Sequence, residues 1–185
     1  MELTVNIYHN ELVERCKQGD ARSYGDLYRQ YAKAMFNTCF RLLNNIPEAE
    51  DVLQESFSEA FRHLHDFQYK SSFGAWLKQI VINRCINHLR KKKLSWTEFD
   101  NQLSDQLVDE ESVDENEIEL KVNEVKRAIQ ELPNGYRTVL SLYLLEGYDH
   151  EEIAEILGIT NSTTRTQYKR AKDKLLAILK KGSSS

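Results

Sequence analysis

Apolar side chains recur along the chain at three- and four-residue spacings, and the stretches that carry this repeat are separated by short polar breaks. A repeat of that period lines one face of a helix, so the pattern predicts a succession of amphipathic helices. Residues 11–19 read as a short helix and residues 21–44 as a long one, with Tyr24, Leu27, Tyr28, Tyr31, Met35, Leu42 and Leu43 near one stripe. Asn45 and Pro47 interrupt it, and Pro47 suits the first turn of a third helix over residues 48–66. There Leu53, Phe57, Ala60, Phe61 and Leu64 form the inward face. Residues 67–72 read as a loop in which Ser71 or Ser72 can cap a fourth helix over residues 73–92. Trp76, Leu77, Ile80, Val81, Ile82 and Ile86 supply its apolar stripe. Two shorter helices follow later, residues 122–132 closed by Pro133 and residues 136–145 ended by Gly147.

The last part, YDHEEIAEILGITNSTTRTQYKRAKDKLLAIL, is the most specific. Asp149 and Glu152 have the spacing of a capping box with Asp in place of Ser or Thr. The helix they start presents Ile153, Ala154, Ile156 and Leu157 and stops at Gly158; Thr160 can cap the next helix after a turn of a few residues. A turn that short keeps the two helices from lying side by side, which is helix-turn-helix spacing. In projection Thr164, Tyr168, Ala171, Leu175 and Ile178 face the core, while Arg165, Thr166, Lys169 and Arg170 fall on the far side. Any amphipathic helix has an exposed charged face, but a basic outer face directly after a tight turn fits a helix that reads base edges and phosphates.

Composition agrees with helices. Only two Pro and seven Gly occur in 185 residues, too few for many strands joined by tight turns. With 41% apolar and 29% charged residues the chain has the polarity of an ordinary folded protein. No stretch approaches the roughly 20 apolar residues of a membrane span, and residues 1–10 lack the basic flank and apolar core of a signal peptide, so a cytoplasmic protein is expected. Cys16, Cys39 and Cys85 are far apart and form no CxxC pair. Neither a disulfide framework nor a zinc site is indicated, and no metal or cofactor is expected.

Charge changes the picture once it is divided along the chain. The formal net charge is −4, yet residues 94–120 hold ten acidic residues and no Lys or Arg. Residues 1–93 carry 14 basic and 11 acidic side chains, and residues 121–185 carry 11 and 8. An acidic segment without sustained apolar period cannot bury enough surface to offset its ordering entropy and reads as a linker. It is a solvated spacer, or a mimic of nucleic acid that shields or occupies basic surfaces. The expected architecture is all-α: a helical domain over residues 1–93, an acidic linker over 94–120, a helix-turn-helix domain over 121–181 and a tail over 182–185.

The positive charge is itself clustered. From Phe67 to Lys93 there is no Asp or Glu, while Lys70, Lys78, Arg84 and residues 90–93 supply seven cations, and Phe67, Tyr69, Phe73 and Trp76 share the window. Cations that neutralise phosphates beside aromatic faces that stack bases suit single-stranded nucleic acid, although core packing would also explain the aromatics. Asp51, Gln54, Glu55 and Ser58 form a polar ridge opposite the core face of the third helix, which solubility alone would explain. An enzyme would need a metal-binding carboxylate cluster or a positioned base and nucleophile; His63 and His65 are too close along a helix to share a face, and no glycine-rich phosphate loop occurs.

Taken together, the segments AEDVLQESF, FQYKSSFGAWLKQIVIN, LRKKK and LPNGYRTVLSLYLLEGYDHEEIAEILGITNSTTRTQYKRAKDKL resemble the extracytoplasmic-function (ECF) group of the sigma-70 family of sigma factors. The resemblance implies that the first domain binds core RNA polymerase through Asp51, Gln54 and Glu55. It implies that the loop carrying Phe67, Tyr69, Lys70, Ser71 and Ser72, with Phe73, Trp76, Asn83, Arg84, Arg90 and Lys91 of the helix and basic tail after it, opens promoter DNA and captures an extruded base of the minus-ten element. Thr163, Arg165, Thr166, Lys169 and Arg170 would read the minus-thirty-five element, the linker would thread the polymerase cleft, and an anti-sigma factor is the family's usual source of regulation. Thr164, Tyr168, His150, Tyr148 and Asn87 depart from the family's commoner residues. The competing expectation is a helix-turn-helix transcriptional regulator with an N-terminal sensor or dimerisation domain.

Overall fold

Asn44 and Asn45 separate two long helices in the first half of the chain. Asn44 adopts the left-handed conformation (φ 53°) that ends one helix, and the Asn45 side chain accepts from the Glu48 amide to start the next. Pro47 sits in that first turn, where a missing N–H is no loss. The computed structural model describes residues 2–92 and 115–182. In the first stretch lie α1 (Glu2–Lys17), α2 (Ala21–Leu43), α3 (Ile46–Arg62) and α4 (Phe73–Lys91), with a single 3₁₀ turn at Leu64–Asp66. In the second lie α5 (Glu115–Glu131), α6 (Asn134–Leu144), α7 (His150–Leu157) and α8 (Asn161–Gly182). No strand occurs among the described residues, so the fold is all-α.

The chain divides into two units, Met1–Lys92 and Lys93–Ser185. In the first, α2, α3 and α4 pack on one another and α1 packs against α2. Leu27, Cys39, Leu42, Ala49, Val52, Phe57, Ala60, Leu77, Val81, Ile82, Cys85 and Ile86 fill the core. Tyr24 and Tyr28 of α2 meet Phe61 and Phe57 of α3 at centroid distances of 4.9 and 4.7 Å, edge-on and tilted pairings that add to simple burial. Asp20 joins α1 to α2: it accepts from the Arg22 amide and the Ser23 hydroxyl and pairs with Arg15 at 2.6 Å. The Ser23 hydrogen bond and then the Arg15 pairing lower its pKa to about 2.

In the second unit α6, α7 and α5 all pack on α8. Ile129, Leu132, Tyr136, Leu140 and Ala171 form a core against which Leu175 and Ile178 rest. Arg137 is buried there, with guanidinium donors on the carbonyls of Gln130 and Leu132 and on the Asn134 side chain. It thereby occupies carbonyls that the end of α5 would leave unsatisfied. Burial lowers its pKa to about 10.

Several boundaries differ from the sequence reading. The expected linker over residues 94–120 is helical from Glu115 onward, since α5 begins there; residues 93–114 lie outside the described part. Glu is a good helix former, and acidic side chains in a first turn complement the helix dipole, which outweighs the like-charge density there. The helix expected over residues 11–19 starts at Glu2, and the one expected over 48–66 ends at Arg62, where the chain tightens into the 3₁₀ turn that buries Leu64. Among the described residues, no helix is long and apolar enough to cross a membrane.

Candidate functional site

On α3 the inward face is Val52, Leu53, Ser56, Phe57 and Ala60, so Asp51, Gln54 and Glu55 all point outward and are exposed. The Ser56 hydroxyl, buried, is satisfied by the Val52 carbonyl at 2.6 Å. With Ser58, Arg62 and Arg84 the three ridge residues line one open depression. Arg84 enters it from α4: its guanidinium donates to Glu55 at 3.1 Å and also to Glu59. The sequence reading set Arg84 beside the separating strands, but the structure commits its charge to α3, because Glu55 and Glu59 lie one turn apart on the facing helix.

The 67–72 loop and the start of α4 also differ from the reading. Phe67 and Phe73, expected to stack on bases, are 3% and 1% exposed. Phe67 packs on Phe73 at 5.9 Å and on Trp76 at 5.2 Å, and Phe73 meets Tyr31 of α2 at 5.3 Å. Those rings are core, and their loss would undo the loop's footing. Trp76 is partly buried in the same cluster. Tyr69, Lys70, Ser71 and Ser72 remain exposed, and Ser72 caps α4 by accepting from the Ala75 amide at 3.2 Å. Tyr69 alone in the loop has a left-handed backbone, φ 58°. On α4, Asn83 and Arg90 are exposed, as is Lys91 at its end. Lys92 pairs with Glu48, which also meets His88 at 2.9 Å, so this part of the basic tail is tied to the start of α3.

In the second unit both halves of the expected capping box form: Asp149 accepts from the Glu151 and Glu152 amides, and Glu152 accepts from the Asp149 amide. Gly158 takes φ 66° at the end of α7, a conformation that costs glycine nothing. Thr160 accepts from the Thr163 amide at 3.1 Å and so caps α8; the two hydroxyls also meet at 2.8 Å, which engages Thr163 in the cap. Thr164 is buried. On the outer face Arg165, Thr166, Lys169 and Arg170 are exposed. Arg165 is braced by the Asn161 side chain at 2.7 Å, and the Thr166 hydroxyl donates back to the Ser162 carbonyl at 2.9 Å. The arrangement presents three cations and a hydroxyl on one face of a helix held at its start by the turn, as major-groove reading requires.

Sequence reasoning missed a cluster behind this face. Tyr143 stacks on His150 at 4.6 Å and meets Tyr168 in a tilted contact at 4.5 Å, and His150 meets Tyr168 edge-on at 5.5 Å. The three rings come from α6, α7 and α8, so the cluster ties those helices together. Among the described residues no group of His, Cys, Asp and Glu is arranged to hold a metal ion.

Comparison with known proteins names this pair of units. Residues 27–95 match Sigma-70 region 2 and residues 123–175 match Sigma-70 region 4. The chain is 30% identical over 175 residues to the ECF RNA polymerase sigma factor SigW of Bacillus subtilis, covering 88% of this chain and 92% of that protein. It is 33% identical over 175 residues to the RNA polymerase sigma-H factor of Pseudomonas aeruginosa, covering 88% and 89%. Its fold is similar to that of RpoE of Bartonella quintana, solved with the anti-sigma factor NepR, with TM-score 0.54, 22% identity and coverage of 86% and 98%. It is likewise similar to CnrH, solved with the cytosolic domain of CnrY, with TM-score 0.53, 23% identity and coverage of 93% and 97%. The chain belongs to the ECF sigma factors of the sigma-70 family. It directs promoter recognition and transcription initiation by RNA polymerase. The region 2 match in the first unit sets aside a helix-turn-helix regulator with a sensor or dimerisation domain in that position.

Proposed function

We propose a division of labour between the two units, in a protein that works in the cytoplasm and catalyses no reaction of its own. The exposed α3 ridge, Asp51, Gln54 and Glu55, docks on core polymerase. The loop residues Tyr69, Lys70, Ser71 and Ser72, with Asn83, Arg90 and Lys91 of α4, engage the minus-ten element as its strands separate; Phe67, Phe73 and Trp76 support that surface from beneath. Unstacking a base costs a few kcal/mol per step, which a preformed pocket and cations can offset. Arg165, Thr166, Lys169 and Arg170 read the minus-thirty-five element, with Thr163 fixing the start of their helix. Residues 93–114 and the beginning of α5 connect the two functions, and their acidic charge suits a positively lined channel. An anti-sigma protein is the proposed inhibitory partner, since RpoE of Bartonella quintana was solved with one.

The observation that carries this reading is the outer face of α8, where the cations lie together and exposed immediately after a capped turn. In vitro transcription with purified core polymerase on a promoter library tests it. A discrete set of promoters sharing both elements is the expected result. Initiation without any preference for the upstream element would overturn the role given to α8.

A further inference from the structure

The left-handed backbone of Tyr69 calls for a cause, because a bulky residue persists in that conformation only where its surroundings over-determine it. The restraints come from α1. The Tyr69 hydroxyl donates to the Glu14 carboxylate. Lys17, on the same face of α1, places its ammonium 4.4 Å from the centre of the Tyr69 ring and donates to the Phe67 carbonyl at 3.2 Å. It also stands 3.6 Å from Glu14, so the two α1 side chains act as one clamp on the loop. Both lie before residue 27, outside the segment that matches Sigma-70 region 2. We propose that Glu14 and Lys17 are positioning residues for minus-ten capture, holding the 67–72 loop in its strand-accepting shape before DNA arrives. The proposal rests on the reading of that loop given above. A loop already ordered does not pay its ordering entropy when the strand binds, so the clamp appears as strand affinity.

The test uses holoenzyme assembled with the full chain and a fluorescent single-stranded oligonucleotide carrying the minus-ten element found in the promoter library. Glu14→Ala and Tyr69→Phe should each weaken strand binding about three- to tenfold, the effect of one accessible hydrogen bond. Core affinity and thermal stability should not change. The double variant should be no weaker than the worse single one, and Glu14→Gln, which keeps an acceptor, should restore most of the loss. Additive losses in the double variant would overturn the proposal, as would wild-type binding by Glu14→Ala while Lys70→Ala weakens it. A lowered melting temperature together with lost core binding in Glu14→Ala would assign α1 to the fold alone and overturn it too. If Tyr69→Ala and Lys70→Ala both bind the strand normally, the reading of the loop fails, and the clamp's role with it.

Discussion

Thr164 donates its hydroxyl to the His150 carbonyl at 3.2 Å, a hydrogen bond that runs from α8 to the first residue of α7. Its single proton is shared with the nearer Asn161 carbonyl at 2.8 Å, one turn back on α8. An aliphatic side chain would fill the volume but leave the two helices joined by packing alone. Thr164→Val should therefore destabilise the α7–α8 pair by about 1 kcal/mol, the usual net worth of a buried hydrogen bond. Hydrogen exchange at the α7 amides should report it, and unchanged protection would show that packing alone sets the angle.

His150 makes the second unit sensitive to pH. Burial and then the Arg165 guanidinium hold its pKa below the ordinary 6.5, with Asp149 acting in the opposite direction; Tyr143 and Tyr168 enclose its ring. The unfolded chain takes up the proton at the ordinary pKa and the folded unit resists it, so stability is full above that value and declines as pH falls below it. Lowering the pH from about 7.5 to about 5.5 should weaken α7 and α8 protection. It is the only histidine in residues 93–185, so His150→Phe should flatten that slope; a slope unaltered by the substitution would assign it to carboxylates.

Much of this was legible beforehand because it is local. Asn45, Ser72, Asp149, Glu152, Gly158 and Thr160 all cap or turn the chain within a few residues of themselves, and short-range spacing is what a sequence displays directly. The burial of Phe67 and Phe73 was one of two readings left open, since it depends on Tyr31 and Trp76 meeting them from two different helices. The orientation of Arg84 was not legible: its charge is visible in the sequence, but whether it turns to DNA or to Glu55 and Glu59 is decided by the packing of α4 on α3. Residues 115–120 misled in another way, because their acidity hid a strong helical propensity.

The α3 ridge should separate binding from folding. Asp51→Lys and Glu55→Lys should each weaken core polymerase binding at least about tenfold, with little effect on the melting temperature, since half-exposed ion pairs contribute about 0–1 kcal/mol. Titration of labelled core polymerase reads the first quantity and calorimetry the second. Normal holoenzyme formation by both variants would rule the ridge out as the docking face.

Gly74 should resist substitution for a steric reason. A Cβ there would lie 2.8 Å from Cε1 of Tyr31, a ring already held edge-on by Phe73. Gly74→Ala should cost about 1–3 kcal/mol by overpacking, and the double variant Gly74→Ala with Tyr31→Leu should recover part of it. Urea unfolding in a Trp96→Phe background, followed by Trp76 fluorescence, distinguishes these outcomes.

On α8, Arg165→Ala and Arg170→Ala should change which promoters are chosen, at about 1 to 3 kcal/mol per base-reading contact, whereas Lys169→Ala should weaken all promoters alike and lessen the salt dependence. Transcription from the library at two salt concentrations separates the two effects. Identical promoter ranking in all three variants would confine the face to phosphate contacts.

All three cysteines of the chain, Cys16, Cys39 and Cys85, are free and fully buried in the first unit. Burial raises the Cys16 thiol to about 11, so it is neither reachable nor ionised in the folded state; reactivity belongs to the thiolate. Nature has thus left the first unit with an internal clock: under native conditions a thiol-specific reagent marks the chain only when that unit opens, while the second unit, which has no cysteine, stays silent. The rate of labelling in the free chain, in holoenzyme and in an inhibited complex would rank how firmly each partner keeps the first unit closed.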